Sequence, residues 1–99
     1  MFLHCVYYWM RSDLSEAEKQ TFLEKAQALI RLKSVKHGWF GKPAETDRPI
    51  IDRTYDYALV LVLEDAAGHD AFQADPEHHA IRNVVSGMWK KILIYDFED

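Results

Sequence analysis

YDYALVLVL, residues Tyr55–Leu63, is the stretch that decides the fold. Aliphatic, β-branched and aromatic residues without glycine or proline favour an extended chain. Successive side chains leave a strand on opposite sides. Tyr57, Leu59, Leu61 and Leu63 therefore share one face, and Ala58, Val60 and Val62 share the other. Neither face is polar, which is the mark of a strand covered on both sides.

The two ends of the chain repeat the pattern. FLHCVYYWM (residues 2–10) reads as a strand that stops at Arg11, Ser12 and Asp13, with Phe2, His4, Val6, Tyr8 and Met10 on one face and Leu3, Cys5, Tyr7 and Trp9 on the other. KILIYDF, Lys91–Phe97, places Ile92 and Ile94 opposite Leu93, Tyr95 and Phe97. VKHGWF, Val35–Phe40, is a further strand closed by Gly41.

Helical periodicity fills the gaps. Ser15 with Glu18 three residues on forms a capping box, and Phe22, Leu23, Ala26, Leu29, Ile30 and Lys33 follow at helical spacing. The spacing predicts a helix to about Lys33. KPAETDRPIIDRT, Lys42–Thr54, carries two prolines and mixed charge and reads as a long mobile loop. Glu64–Ala74 is short and helical, with Ala67, Ala71 and Phe72 as its apolar side. A capped helix begins at Asp75, a natural N-cap, with Pro76 at the first helical position.

The order βαββαβ is that of an α+β, ferredoxin-like fold, a four-stranded antiparallel sheet with helices on one face, and residues 1–99 form one domain. Helices on one face leave the second apolar face bare. A soluble monomer tolerates only a few hundred Å² of such surface. A second copy, packed sheet on sheet about a two-fold axis, is the expected cover, giving a homodimeric barrel.

Composition narrows the function. The chain is 48% hydrophobic, with 12 basic and 16 acidic residues and a formal charge of −4. Scattered basic residues in an acidic chain speak against nucleic acid and anionic membrane as partners. The single cysteine, Cys5, has no partner for an internal disulfide, and no apolar run is long enough to span a bilayer. The expected compartment is the cytoplasm. No glycine-rich phosphate loop or serine or cysteine nucleophile motif is present. The adjacent His78 and His79 point apart and no histidines show ligand spacing, so neither a metal nor a cofactor is expected.

On the capped helix, Ile81, Val84, Val85, Met88 and Trp89 share one arc of the wheel and His78 falls within it, while His79, Arg82, Asn83 and Ser86 face away. His78 lies in the first turn, where the helix dipole disfavours the imidazolium. A neutral, half-buried imidazole is a usable general base. The same placement also suits a core-edge histidine satisfied by backbone. His4, on the helix-facing side of the first strand, is a second polar group for the same space. Together they suggest a pocket for a small apolar or aromatic carbonyl compound.

Early His4, the WFG at Trp39–Gly41, YDYALVLVLED, the DPEH at Asp75–His78 and the closing MWKKILIYDF together resemble the stress-responsive A/B barrel (Dabb) family over nearly the whole length. The resemblance implies a dimeric α+β barrel. The family includes stress-associated proteins and a plant polyketide cyclase, in which a histidine at the position of His78 is the base of an aldol-type ring closure. By position, the resemblance implies a pocket lined by His4, Val6, Tyr8, Phe22, Leu23, Leu59, Leu61, Trp89, Ile92 and Ile94. The cyclase's assisting tyrosine falls on Phe72, which has no hydroxyl. Two alternatives stand beside a cyclase-like pocket: a non-catalytic stress-associated or structural dimer whose core is filled, and a cofactor-free monooxygenase-like barrel.

Overall fold

Apolar strands of this length satisfy their backbone groups by pairing, and all four pair antiparallel into one sheet. The computed structural model describes residues 1–99. β1 (Phe2–Met10), β2 (His37–Gly41), β3 (Tyr57–Leu63) and β4 (Trp89–Glu98) lie in the order β2-β3-β1-β4. Three helices, α1 (Glu16–Ala28), α2 (Ala66–Ala74) and α3 (Pro76–Val85), complete the chain. None is long and apolar enough to cross a membrane.

Register fixes which residues become neighbours. Tyr8, Val6 and His4 of β1 stand opposite Ile92, Ile94 and Asp96 of β4, and opposite Tyr57, Leu59 and Leu61 of β3. These rows form the face under the helices, where they meet Phe22, Ala26, Phe72, Ile81 and Val85 in the core. The alternate rows form the other face: Leu3 beside Val62 and Phe97, Cys5 beside Val60 and Tyr95, Tyr7 beside Ala58 and Leu93. No helix covers these rows, and Trp39, Tyr95 and Phe97 are 62%, 60% and 52% exposed.

The loop Lys42–Thr54 is anchored at its C-terminal end. Trp9 Nε1 donates to Thr54 Oγ1 (3.0 Å), and the Asp56 amide donates to the Tyr8 carbonyl (2.8 Å). Tyr55 packs edge-on against Tyr7 and Trp9, so the loop shields one end of the open face. The extended run begins only at Tyr57, because residues 55 and 56 serve this anchor.

Two helix boundaries differ from the spacing prediction. α1 ends at Ala28, and Leu29–Arg31 tighten into a 3₁₀ turn that brings both Leu29 and Leu32 into the core. Closely packed Gly38 admits that turn, since a Cβ there would lie 2.9 Å from Ile30 Cγ1. α3 ends at Val85, because Ser86 turns extended and Gly87 adopts φ +90°. Met88 and Trp89 are therefore not helical, and Trp89 opens β4. Val84 is 43% exposed rather than part of the buried arc, which consists of His78, Ile81 and Val85.

Candidate functional site

Asp75 sets the geometry. Its amide donates to the Phe72 carbonyl (3.3 Å), ending α2, and its Oδ1 accepts from the Glu77 amide (2.9 Å), starting α3. One buried residue thus makes the corner that presents Phe72 and His78 to the sheet. The Phe72 ring touches two imidazoles, with centroids 4.4 Å from His78 and 5.7 Å from His4.

Between these helices and the sheet lies a cavity of about 290 Å³. β1 contributes His4, Val6 and Tyr8 to its wall, β3 Leu59, and β4 Trp89, Ile92 and Ile94. Phe72 and His78 form the helical side, with Leu29, Gln73, Ile81, Arg82 and Val85, which periodicity alone did not assign to a pocket. Arg82 is exposed as a residue yet lines the wall, so it does not simply face away.

Phe22, Leu23 and Leu61 were expected in the lining and are not there. Phe22 is 1% exposed and packs edge-on against Tyr8 (5.1 Å) and tilted against Tyr57 (5.7 Å). Leu61 is fully buried, its Cδ2 set against the position of Gly38. Leu23 packs half-buried against the core. The physical reason is lateral: α1 fills the space over the β2–β3 half of the sheet, whereas the cavity opens over β1 and β4.

The two histidines have distinct surroundings. His4 is 5% exposed, and its Nδ1 lies 2.6 Å from Asp96 Oδ1. An ionised carboxylate only accepts, so Nδ1–H donates and Nε2 keeps the lone pair. Burial lowers the His4 pKa below the ordinary imidazole value, and Asp96 opposes the drop by hydrogen bond and charge. His78 is 9% exposed, and its Nδ1 is buried without a hydrogen-bond partner. Burial lowers its pKa too; the Gln73 backbone opposes, while Arg82, His79 and His4 add to the drop. With Nδ1 sealed, any exchange of a proton with a ligand falls to Nε2. Burial raises the Tyr8 phenol, which stays protonated at neutral pH.

A third imidazole joins this end of the sheet. His69 of α2 stacks on Phe2 (4.6 Å), with its Nε2 3.8 Å from Asp96 Oδ2 and its ring centroid 5.3 Å from that of His4. Local spacing could not find this group, because β1, α2 and β4 each supply one member. Asp75 is a cap, and Asp70 is an exposed residue 3.8 Å from His69.

A ferredoxin-like α+β domain with an apolar cavity under its helices is the class these features define. The chain belongs to the Stress responsive A/B Barrel Domain (Dabb) family, which matches residues 2–99. Among solved structures it is similar to a protein of Arabidopsis thaliana (15% identity, TM-score 0.82, covering 100% of this chain and 95% of that one). It is also similar to a dimeric ferredoxin-like protein of unknown function from Thermobifida fusca (19%, TM-score 0.78, 99% and 90%). A third is the hydroxynitrile lyase of Passiflora edulis (16%, TM-score 0.79, 97% and 90%). No curated protein sequence matches the chain.

Proposed function

We propose that the chain acts as a homodimer, paired through the open face of its sheet, that binds a small apolar or aromatic carbonyl compound in the cavity under its helices. His78 is the general base: Nε2 takes a proton from the carbon next to the carbonyl, leaving an enolate, and returns it. His4, held by Asp96, is the second polar group. Val6, Tyr8, Leu59, Phe72, Trp89, Ile92 and Ile94 surround the ligand.

The observation that carries the reading is the pair of buried imidazoles, both lowered in basicity, in the wall of an otherwise largely apolar cavity. A core filled to its walls expects no void beside His78. The Passiflora protein of similar fold is a lyase, which makes proton chemistry on this scaffold a reasonable starting point. The dimer is supported by the exposed Trp39, Tyr95 and Phe97 and by the dimeric Thermobifida protein. Phe72 offers no hydroxyl to an enolate oxygen, so the reading extends to proton abstraction rather than a complete ring closure.

An aryl methyl ketone in D₂O tests it. The wild type should accelerate exchange of the methyl hydrogens, and His78→Ala should lose that acceleration while still binding the ketone. Equal exchange rates in the two proteins would remove His78 from the chemistry. At 100 times its dissociation constant, a bound ketone should stabilise the fold by about 2.7 kcal/mol.

A further inference from the structure

We infer that His4, His69 and Asp96 form a binding site for a divalent transition-metal ion of the zinc type, at the end of the cavity wall and separate from His78. Their donor atoms all lie within 4.8 Å of one another and come from three elements, β1, α2 and β4. Metal–nitrogen and metal–oxygen bonds of roughly 2.0–2.2 Å place the donors of a tetrahedral site roughly 3.3 Å apart. The observed separations bracket that value: 2.6 Å from His4 Nδ1 to Asp96 Oδ1, and 3.8 Å from His69 Nε2 to Asp96 Oδ2. Small side-chain shifts close the set around one ion.

The chemistry of the donors selects the ion. Two imidazoles and one carboxylate suit zinc, cobalt or ferrous iron, whereas magnesium and calcium prefer all-oxygen shells. Three protein donors leave a coordination position open, the arrangement of sites that act on a ligand rather than merely brace a fold. One support is in place and a second lies within reach of a small rotation. Phe2 stacks on His69 with an interplanar angle of 26°, fixing the ring, and Asp70 Oδ1 stands 3.8 Å from His69 Nδ1, on the side away from the shared carboxylate contact. His4 needs only to pass its Nδ1 proton to Nε2. Gln73, which lines the cavity, has its side-chain amide nitrogen 3.4 Å from His69 Nε2, a contact the ion would replace, so the ion would adjoin the ligand space.

Cobalt(II) added to chelator-treated protein gives the test. The wild type should bind one ion per chain and develop the intense visible absorption of a four- or five-coordinate centre, which zinc then bleaches. His69→Ala, at a partly exposed residue, should weaken binding about 100-fold or more and abolish the spectrum, and Asp96→Asn should do the same. His78→Ala should keep both, which separates this site from the proposed base. Absence of the absorption in the wild type, or its persistence in His69→Ala, would overturn the assignment and leave a hydrogen-bonded cluster. A zinc-induced rise in melting temperature that vanishes in His69→Ala is the second readout.

Discussion

The two faces of the sheet are built from the same strands and one-residue steps, yet they differ in what they do with polarity. Under the helices, His4 and Asp96 sit in one row of aliphatic and aromatic residues, and each polar group there is buried or paired. On the other face, the rows through Leu3, Cys5 and Tyr7 carry no charge at their centre and end in exposed Trp39, Tyr95 and Phe97. Polar groups are costly in a closed interior and are kept there only where they are satisfied or used. The covered face gathers its polarity at the proposed site; the open face has little at its centre and is suited to association.

Breaking that contrast on the open face should have the largest effect. Tyr95→Asp places an unpaired charge within the expected interface, twice per dimer, and should weaken self-association on the order of 10³-fold or more. Sedimentation over a dilution series reads it; a wild type already monomeric at micromolar concentration would void the contrast. On the covered face, Leu61→Ala removes a fully buried side chain and should cost about 3 kcal/mol in denaturant unfolding. The same change at Val60, on the half-buried open side, should cost much less in a monomer.

Phe72→Tyr sharpens the comparison from the site. A hydroxyl on this ring, which touches both imidazoles, offers the proposed enolate a donor that position 72 lacks, worth up to about 3 kcal/mol of transition-state stabilisation. Ketone exchange should then rise by as much as about 100-fold, and an unchanged rate would mean the enolate oxygen lies elsewhere. The smallest effect is in pH. Because the folded His78 pKa lies below the ordinary 6.5, the unfolded chain takes up the proton first as pH falls. Stability is therefore full above about 6.5 and declines through the window beneath it, with a slope no steeper than about 1.4 kcal/mol per pH unit for one group. His4 of β1, also lowered, adds in the same sense. Arg82 and His79 on α3 and the Gln73 backbone on α2 set the rest of the field. Melting temperatures of wild type and His78→Gln between about pH 7.5 and about pH 5.5 measure the difference.

Local signals carried a good part of this architecture. Ser15 and Glu18 make both bonds of the capping box (3.1 and 2.9 Å), and Asp75 caps α3 as its sequence position suggests. Alternation placed His4, Val6 and Tyr8 on the covered side. Periodicity failed where it met the end of an element: Trp89 fits the α3 wheel, but the turn at Gly87 hands it to β4, where it reaches the cavity by the sheet's route. It also cannot tell a pocket wall from solid core: Phe22 and Leu23 belong to α1, which packs over Leu61, so these three residues, which the resemblance put in the lining, belong to the core instead. His69 and Asp96 were invisible as a group, since only strand register brings the last strand beside the first.

Asp75 has a further consequence. Because one residue closes one helix with its amide and opens the next with its side chain, the spacing from Phe72 to His78 is set by backbone groups and a cap rather than by the ring at position 72. A hydroxyl gained at that ring leaves these bonds to the corner intact, so the corner is a mount for the proposed base whose neighbouring fitting can be exchanged.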